Sequence, residues 1–388
     1  MPRNRIYLDN AATSWPKPPQ MLSAMQHFSA DLGANPGRSG HSLSVDSARV
    51  IFECREQLAA LFNATQPERV IFGLNATDGI NLALYGQLQP GDHVITSSME
   101  HNAVMRPLQS LVARGVQVTE IECYPDGTLD AAKILPALRG NTKMLIFTHA
   151  SNVCGTLLPI RKIGEIAHNN GLLLMVDAAQ TAGSIPIDMQ ADNIDLLAFT
   201  GHKGLYGPMG TGGLILGDRV DVSQMHSIRQ GGTGSHSGSM TQPEFLPDKF
   251  ESGTLNAIGI AGLNASIGWL MERGIQRIQS DEQMLTAMLL DGLSAISGVK
   301  IYGTRDPQKQ TAVVALNIKS WDPADAGTHL EEDFGILCRI GLHCAPAAHR
   351  TLNSFPRGSI RFSLSRFSTP EEIEKTVAAV AALAKEVF

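Results

Sequence analysis

The chain has 388 residues, 43% of them hydrophobic and 18% charged, with 31 basic against 37 acidic side chains for a net charge of −6. That length and balance fit a folded globular protein with room for one large core and a second, smaller one, and exclude a disordered segment. The mild acidity, with no block of like charge, argues against nucleic acid or an anionic membrane surface as a partner. Met1 to Asp9 contain no apolar run of signal-peptide length, and no later stretch stays apolar for the length of a bilayer, so the expected location is the cytoplasm. Five cysteines (Cys54, Cys123, Cys154, Cys338, Cys344) form no C-x-x-C pair, which argues against a disulfide framework or a zinc site and leaves room for a functional thiol.

In chain order, short apolar runs predict strands at 69–74, 93–97, 116–121, 143–148, 172–176, 195–199 and 213–216, with amphipathic stretches between them. Strands rich in Val, Ile and Leu that alternate with helices imply a largely parallel sheet covered on both faces, an α/β domain. In such sheets ligands sit beyond the carboxyl ends of the strands, so the residues just after each strand matter most. The segment 229–239 is too rich in Gly and Ser for a regular element and reads as a flexible loop that could act as a lid. A helical pattern follows over 257–274, and after Ser297 short strands and helices suggest a smaller α+β unit that ends in a helix over 370–387. The expected division is 1–256 for an N-terminal segment with the large domain, and 257–388 for a connecting helix with the small domain.

The strongest local signal is Phe199-Thr200-Gly201-His202-Lys203-Gly204, a lysine among glycines just past an apolar strand. A lone loop lysine is ordinarily a solvated surface group; its companions change that reading. Asp177 closes the apolar run Leu172 to Val176, where it could cap the next helix or stand as an anion beside a ring nitrogen. Asn75-Ala76-Thr77-Asp78 follow another strand and open a helix, whose free N–H groups and positive end suit a phosphate. Met99-Glu100-His101-Asn102 follow a third, placing a histidine that could stack on a flat ring.

Together with Tyr7-Leu8-Asp9-Asn10-Ala11-Ala12-Thr13, Gly37-Arg38-Ser39-Gly40-His41, Thr148-His149-Ala150-Ser151-Asn152, Phe250-Glu251-Ser252-Gly253-Thr254 and Arg339-Ile340-Gly341-Leu342-His343-Cys344-Ala345, these segments resemble the class V aminotransferase family over nearly the whole chain. The resemblance implies pyridoxal phosphate (PLP) fold type I, the aspartate aminotransferase-like α/β architecture with a large, mainly parallel-sheet domain and a smaller α+β C-terminal domain. It implies that Lys203 bonds to pyridoxal 5′-phosphate, that Asp177 pairs with the ring nitrogen, that His101 stacks on the ring as a catalytic group, and that Gln180 lies near the ring's phenolic oxygen. Thr77, Thr200 and His202 would hold the phosphate, with Ala76 at the same helix start and Gly253 and Thr254 reaching the phosphate of a neighbouring subunit, hence a homodimer. Asn152 and Arg361 would receive the substrate carboxylate, with His41 and Ala11 also on the substrate side. Arg-x-Gly-x-His-Cys-Ala resembles the cysteine desulfurase and selenocysteine lyase group, which makes Cys344 the reactive thiol, exposed and stabilised as a thiolate beside His343. The substrate would be L-cysteine or L-selenocysteine, and a sulfur-acceptor protein a partner. Two other readings stay open: a class V aminotransferase, epimerase or other lyase in which Cys344 is incidental, and a non-catalytic scaffold on the same fold.

Overall fold

The computed structural model describes residues 5–37, 39–236 and 238–386. The short strand β1 (Ile6–Tyr7) leads into helices α1 (Pro19–His27) and α2 (Ser42–Phe62). His41 Nδ1 caps α2 by accepting from Ser44 N, and Asn63 ends it in the left-handed conformation, φ 53°. There follow β2 (Val70–Gly73), α3 (Ala76–Gln87), β3 (His93–Ser97), α4 (Asn102–Val112), β4 (Gln117–Ile121), β5 (Thr142–Thr148), α5 (Ile160–Asn169), β6 (Leu173–Asp177), β7 (Leu196–Thr200) and β8 (Gly212–Leu216). The seven strands β2 to β8 lie where the apolar runs predict them, with ends displaced by no more than one residue.

They form one sheet in the order β2-β8-β7-β6-β5-β3-β4. β8 runs antiparallel to both β7 and β2, and the remaining pairings are parallel. Period-two alternation sends successive residues to opposite faces. Ile95, Leu145, Phe147, Val176 and Phe199 pack against α2, α5 and α6 (Ala257–Arg273), whereas Val94, Ile146, Met175, Ala198 and Leu214 pack against α3 and α4. The helices approach the sheet closely: a Cβ on Gly79 of α3 would stand 2.4 Å from the Gly213 carbonyl oxygen, so only glycine fits.

Beyond α6 come α7 (Ile275–Ser294), β9 (Val299–Tyr302), β10 (Val313–Ile318), α8 (Pro323–Glu332), β11 (Ile336–Leu337), β12 (Arg339–Gly341), α9 (Pro346–Thr351), β13 (Ser359–Ser363) and α10 (Pro370–Lys385). Four of these strands make an antiparallel sheet in the order β12-β13-β10-β9 over a third core, which includes Leu289, Leu316, Phe362 and Val380. β1 pairs in parallel with β11, and Ile6 and Leu8 join that third core, so the N-terminus ties back into the smaller sheet's unit. α10 opens with a full capping box between Thr369 and Glu372, and the expected extension to Val387 lies outside the described residues. No described helix is long and apolar enough to cross a membrane.

Candidate active site

The strand order brings separate loops to one cavity of about 240 Å³ at the carboxyl ends of the large sheet. Asp177 and Thr200 are the last residues of β6 and β7; Gln180, His202 and Lys203 follow directly. Ala76 and Thr77 begin α3, His101 caps α4, and Asn152 stands on the loop after β5. From the other unit come Cys344 and Arg361, and from the N-terminal segment Ala11. Twelve of the residues expected from the sequence therefore line one space: Ala11, Ala76, Thr77, His101, Asn152, Asp177, Gln180, Thr200, His202, Lys203, Cys344 and Arg361.

Three are elsewhere in the chain. His41 is exposed at the start of α2, and Gly253 and Thr254 line a separate cavity of about 300 Å³ beside Arg55 and Glu251. The Gly/Ser segment goes with them: Gly253 N donates to Gly232 O, and Thr233, Gly234 and Ser235 line that same space. Among its described residues, none lines the Lys203 cavity. His343 lines it as well, and so does Arg339, which the sequence did not single out.

Burial sets the charge states. The Lys203 amine is pushed down to about 8 by burial, with Asp177 pulling the other way and Arg361 and Arg339 adding to the fall. Burial raises the Asp177 carboxyl, opposed by the Ala179 N–H, which donates to Oδ1 at 2.9 Å, and by Lys203. His101 is driven down to about 4 by burial and then by Lys203, so its ring is neutral at physiological pH; Nδ1 accepts from Ala103 N at 3.0 Å, leaving the proton on Nε2. His202 falls to about 4 by burial, then by Lys203 and Lys17. Glu100, fully buried, is a group the sequence did not single out: burial pushes it up to about 8, against hydrogen bonds from Ser97 Oγ (2.5 Å) and Thr148 N (2.9 Å). It ties the ends of β3 and β5 together next to His101.

The lysine loop is held from both sides. Ser14 Oγ and Tyr206 N each donate to Lys203 O at 2.8 Å. A Cβ on Gly204 would meet Ala182 O at 2.6 Å, so the loop after β7 packs backbone to backbone on the loop after β6. The Cys344 loop is pinned likewise: Asn102 N donates to Cys344 O at 2.9 Å and Asn152 Nδ2 to His343 O at 2.7 Å. His343 and Cys344 both adopt positive φ, 50° and 57°, and Cys344 stays exposed. His343, expected beside the thiol, carries no charge. Burial drives His343 down to about 2, its ring is neutral, and Nε2 faces Ser359 Oγ at 3.1 Å.

Arg361 is 2% exposed and already bonded. Nη1 donates to Asn152 O at 2.9 Å and Nη2 to Asp9 Oδ1 at 2.8 Å, a carboxylate partner the sequence did not reveal. Unmet capacity nevertheless remains around the cavity: Thr200 Oγ1, His202 Nδ1, Asn152 Oδ1 and Arg361 Nε are buried without partners. Buried polar atoms are ordinarily satisfied. With the free N–H groups at the start of α3, this set can hold a flat ring, an anionic head group and a small carboxylate.

The sequence matches the family described as Aminotransferase class-V over residues 6–376. A protein of Methanothermobacter thermautotrophicus described as a probable cysteine desulfurase is 37% identical over 377 residues, 96% of this chain and 93% of its own length. The apo structure of the cysteine desulfurase from Thermococcus onnurineus NA1 matches with a TM-score of 0.91 at 29% identity, over 98% of this chain and 95% of that one. The cysteine desulfurase CsdA from Escherichia coli, in an S-sulfonic acid form, matches with a TM-score of 0.86 at 29% identity, over 97% of this chain and 94% of that one.

Proposed function

The chain belongs to the class-V aminotransferase family, and from that premise we propose that it is a pyridoxal 5′-phosphate-dependent cysteine desulfurase, converting L-cysteine to L-alanine and taking the sulfur onto Cys344. One observation carries the reading: an exposed thiol, on a loop whose His343 and Cys344 carbonyls are both hydrogen-bonded, lines the cavity that holds the buried lysine.

The residues present fit the cofactor. Thr200 Oγ1 and His202 Nδ1 are unpartnered buried atoms, Thr77 and the N–H groups of α3 stand beside them, and together they would hold the phosphate. Asp177, a buried carboxylate without a full counter-charge, would face the ring nitrogen, with Gln180 on the ring's oxygen side and neutral His101 against its face. The bound cofactor supplies an electron sink that makes the Cα–H of an amino acid acidic.

The chain's own groups then do the following. Arg361 Nε and Asn152 orient the substrate carboxylate; Ala11 narrows the substrate side, and His41 would act there only from a second subunit. Lys203 Nζ, an amine in a useful fraction at pH 7 to 8 because burial lowers it to about 8, takes the α-proton. Cys344 Sγ attacks the substrate sulfur; an S–S bond forms, the Cβ–S bond breaks with its electron pair left on carbon, and a proton completes the methyl group of alanine. The persulfide left on Cys344 points outward, where a sulfur-acceptor protein can collect it. L-Selenocysteine is a second proposed substrate, because selenium leaves carbon more readily. We place the enzyme in the cytoplasm as a homodimer, with an N-terminal segment and the large domain at 1–256 and the connecting helix and small domain at 257–388.

Incubating purified protein with each amino acid while measuring alanine, sulfide and selenide together tests the reading. Alanine formed in step with sulfide is expected; turnover that depends on an added keto acid, without sulfide, would make the enzyme an aminotransferase.

A further inference from the structure

Lys203 lines a second cavity as well. This space, about 40 Å³, shares Ala11, Ala179, Gln180 and Lys203 with the larger one and extends to Ser184, Thr311, Ser365 and Glu282 on α7. A single water needs roughly 10–15 Å³ and two to four polar partners, so the space is large enough and polar enough to be hydrated. Two features mark it as more than a packing fault. Thr311, 5% exposed, keeps Oγ1 without a hydrogen-bond partner. Glu282, 6% exposed, has no cationic partner within ion-pair distance among the described residues: the nearby Arg366 guanidinium is taken up by Asp281 at 3.2 Å. Burial pushes the Glu282 carboxyl up to about 8, against a hydrogen bond from Ser184 and the field of Arg366, while Asp281 adds to the rise. The other titratable group facing it is the Tyr206 hydroxyl, three residues after Lys203, which accepts from Arg366 N.

From this geometry we infer that the chamber is a hydrated proton reservoir for Lys203, with Glu282 as its terminal carboxyl and so a positioning residue for the reaction. The inference rests on the proposed role of Lys203 as the base. When Lys203 Nζ carries the α-proton as an ammonium, it gives one proton to a chamber water, which gives one to a Glu282 carboxylate oxygen. The carboxylic acid returns a proton by the reverse route. No electrons move, and the summed charge of the two groups is unchanged. Glu282 accepts only as a carboxylate, so the exchange runs from about pH 8 upward and is shut below it, where the carboxyl already holds a proton.

Two readouts on the holoenzyme test this. With α-deuterated cysteine in ordinary water above pH 8, where Glu282 is a carboxylate, a reservoir washes the label out of Lys203 before it reaches alanine. Glu282→Gln should raise deuterium retention in alanine several-fold, Glu282→Asp should restore the wild-type value, and Thr311→Val, which removes a chamber hydroxyl, should act like Glu282→Gln should that variant not fold. Equal retention in wild type and folded variant overturns the inference. Independently of turnover, infrared titration should show a protonated-carboxyl band that is present at pH 7, disappears around pH 8 and is missing from Glu282→Gln; no such band at pH 7 also overturns it. If no alanine forms from cysteine, the desulfurase reading fails while the infrared result still decides the state of Glu282.

Discussion

Lys203 and His101 have both lost affinity for protons through burial, yet the consequences differ: the lysine is brought into a range where it can serve as base, and the histidine is held neutral. In the cofactor-free protein, acylation of Lys203 should rise with pH through about 8, ahead of surface lysines, as peptide mass spectrometry after pulse labelling would reveal. Lys203→Ala should remove the yellow cofactor band and lower turnover by roughly 10²–10⁴-fold, the span of a lost general base. Cys344→Ser separates two parts of the chemistry. Cysteine should still perturb the cofactor spectrum, because the groups that bind it are intact, but sulfide and alanine should fall steeply, with selenocysteine turnover falling much less. Near-normal desulfuration by this variant would move the nucleophile elsewhere, with Cys338 the first alternative. Lys203, Asp177, Thr77 and His101 were legible in the sequence because each follows a strand closely. Asp9, Arg339 and Glu282 were not, because their meaning arises only when β13, β12 and α7 fold against distant segments.

At the level of elements, six strands of the large sheet were legible because they are mostly apolar and covered on both faces, whereas β4, Gln117–Ile121, is a half-exposed edge strand marked only by the apolar residues Val116, Val118 and Ile121. β1 was not: two residues carry no periodicity, and Ile6 finds its partner at Ile336 only through the tertiary fold. The Gly/Ser segment was read correctly as irregular, but its location depends on an ion pair with no local signal. Arg55 and Glu251, 5% and 7% exposed, pair at 2.6 Å; Glu251 Oε1 also accepts from Phe72 N at 2.7 Å, and Arg55 also donates to Val70 O. That bond set fastens the 251–254 segment to the edge strand β2. Glu251→Ala should therefore cost about 3–5 kcal/mol by leaving a buried guanidinium unpaired, whereas a paired replacement of both residues by apolar ones should cost far less. Urea unfolding of the two variants against wild type measures the difference.

For the whole molecule, the single chain leaves two expected cofactor residues, Gly253 and Thr254, away from the lysine cavity while apolar side chains stand open on three helices that pack together. Leu22 of α1 is 55% exposed, Phe52 of α2 42% and Ile258 of α6 43%, and Trp15 just before α1 is 58% exposed. Exposed apolar groups of this kind commonly mark an association surface. A two-fold dimer would cover such a surface and could carry each Thr254 to the other subunit's phosphate, because an isologous interface reaches across in both directions. Sedimentation should then give a dimer at working concentration, and Thr254→Ala should release cofactor more readily on dialysis. The sharper test mixes inactive Lys203→Ala chains with Thr254→Ala chains after dissociation and re-association. In a mixed dimer, the site with an intact Lys203 receives an intact Thr254 from its partner, and the other site has neither. Random pairing makes half of the dimers mixed, so about a quarter of all sites should regain full cofactor affinity. If Thr254 acted within its own chain, mixing would restore no sites with both residues, and the fraction of tightly bound cofactor would equal the average of the two variants measured apart.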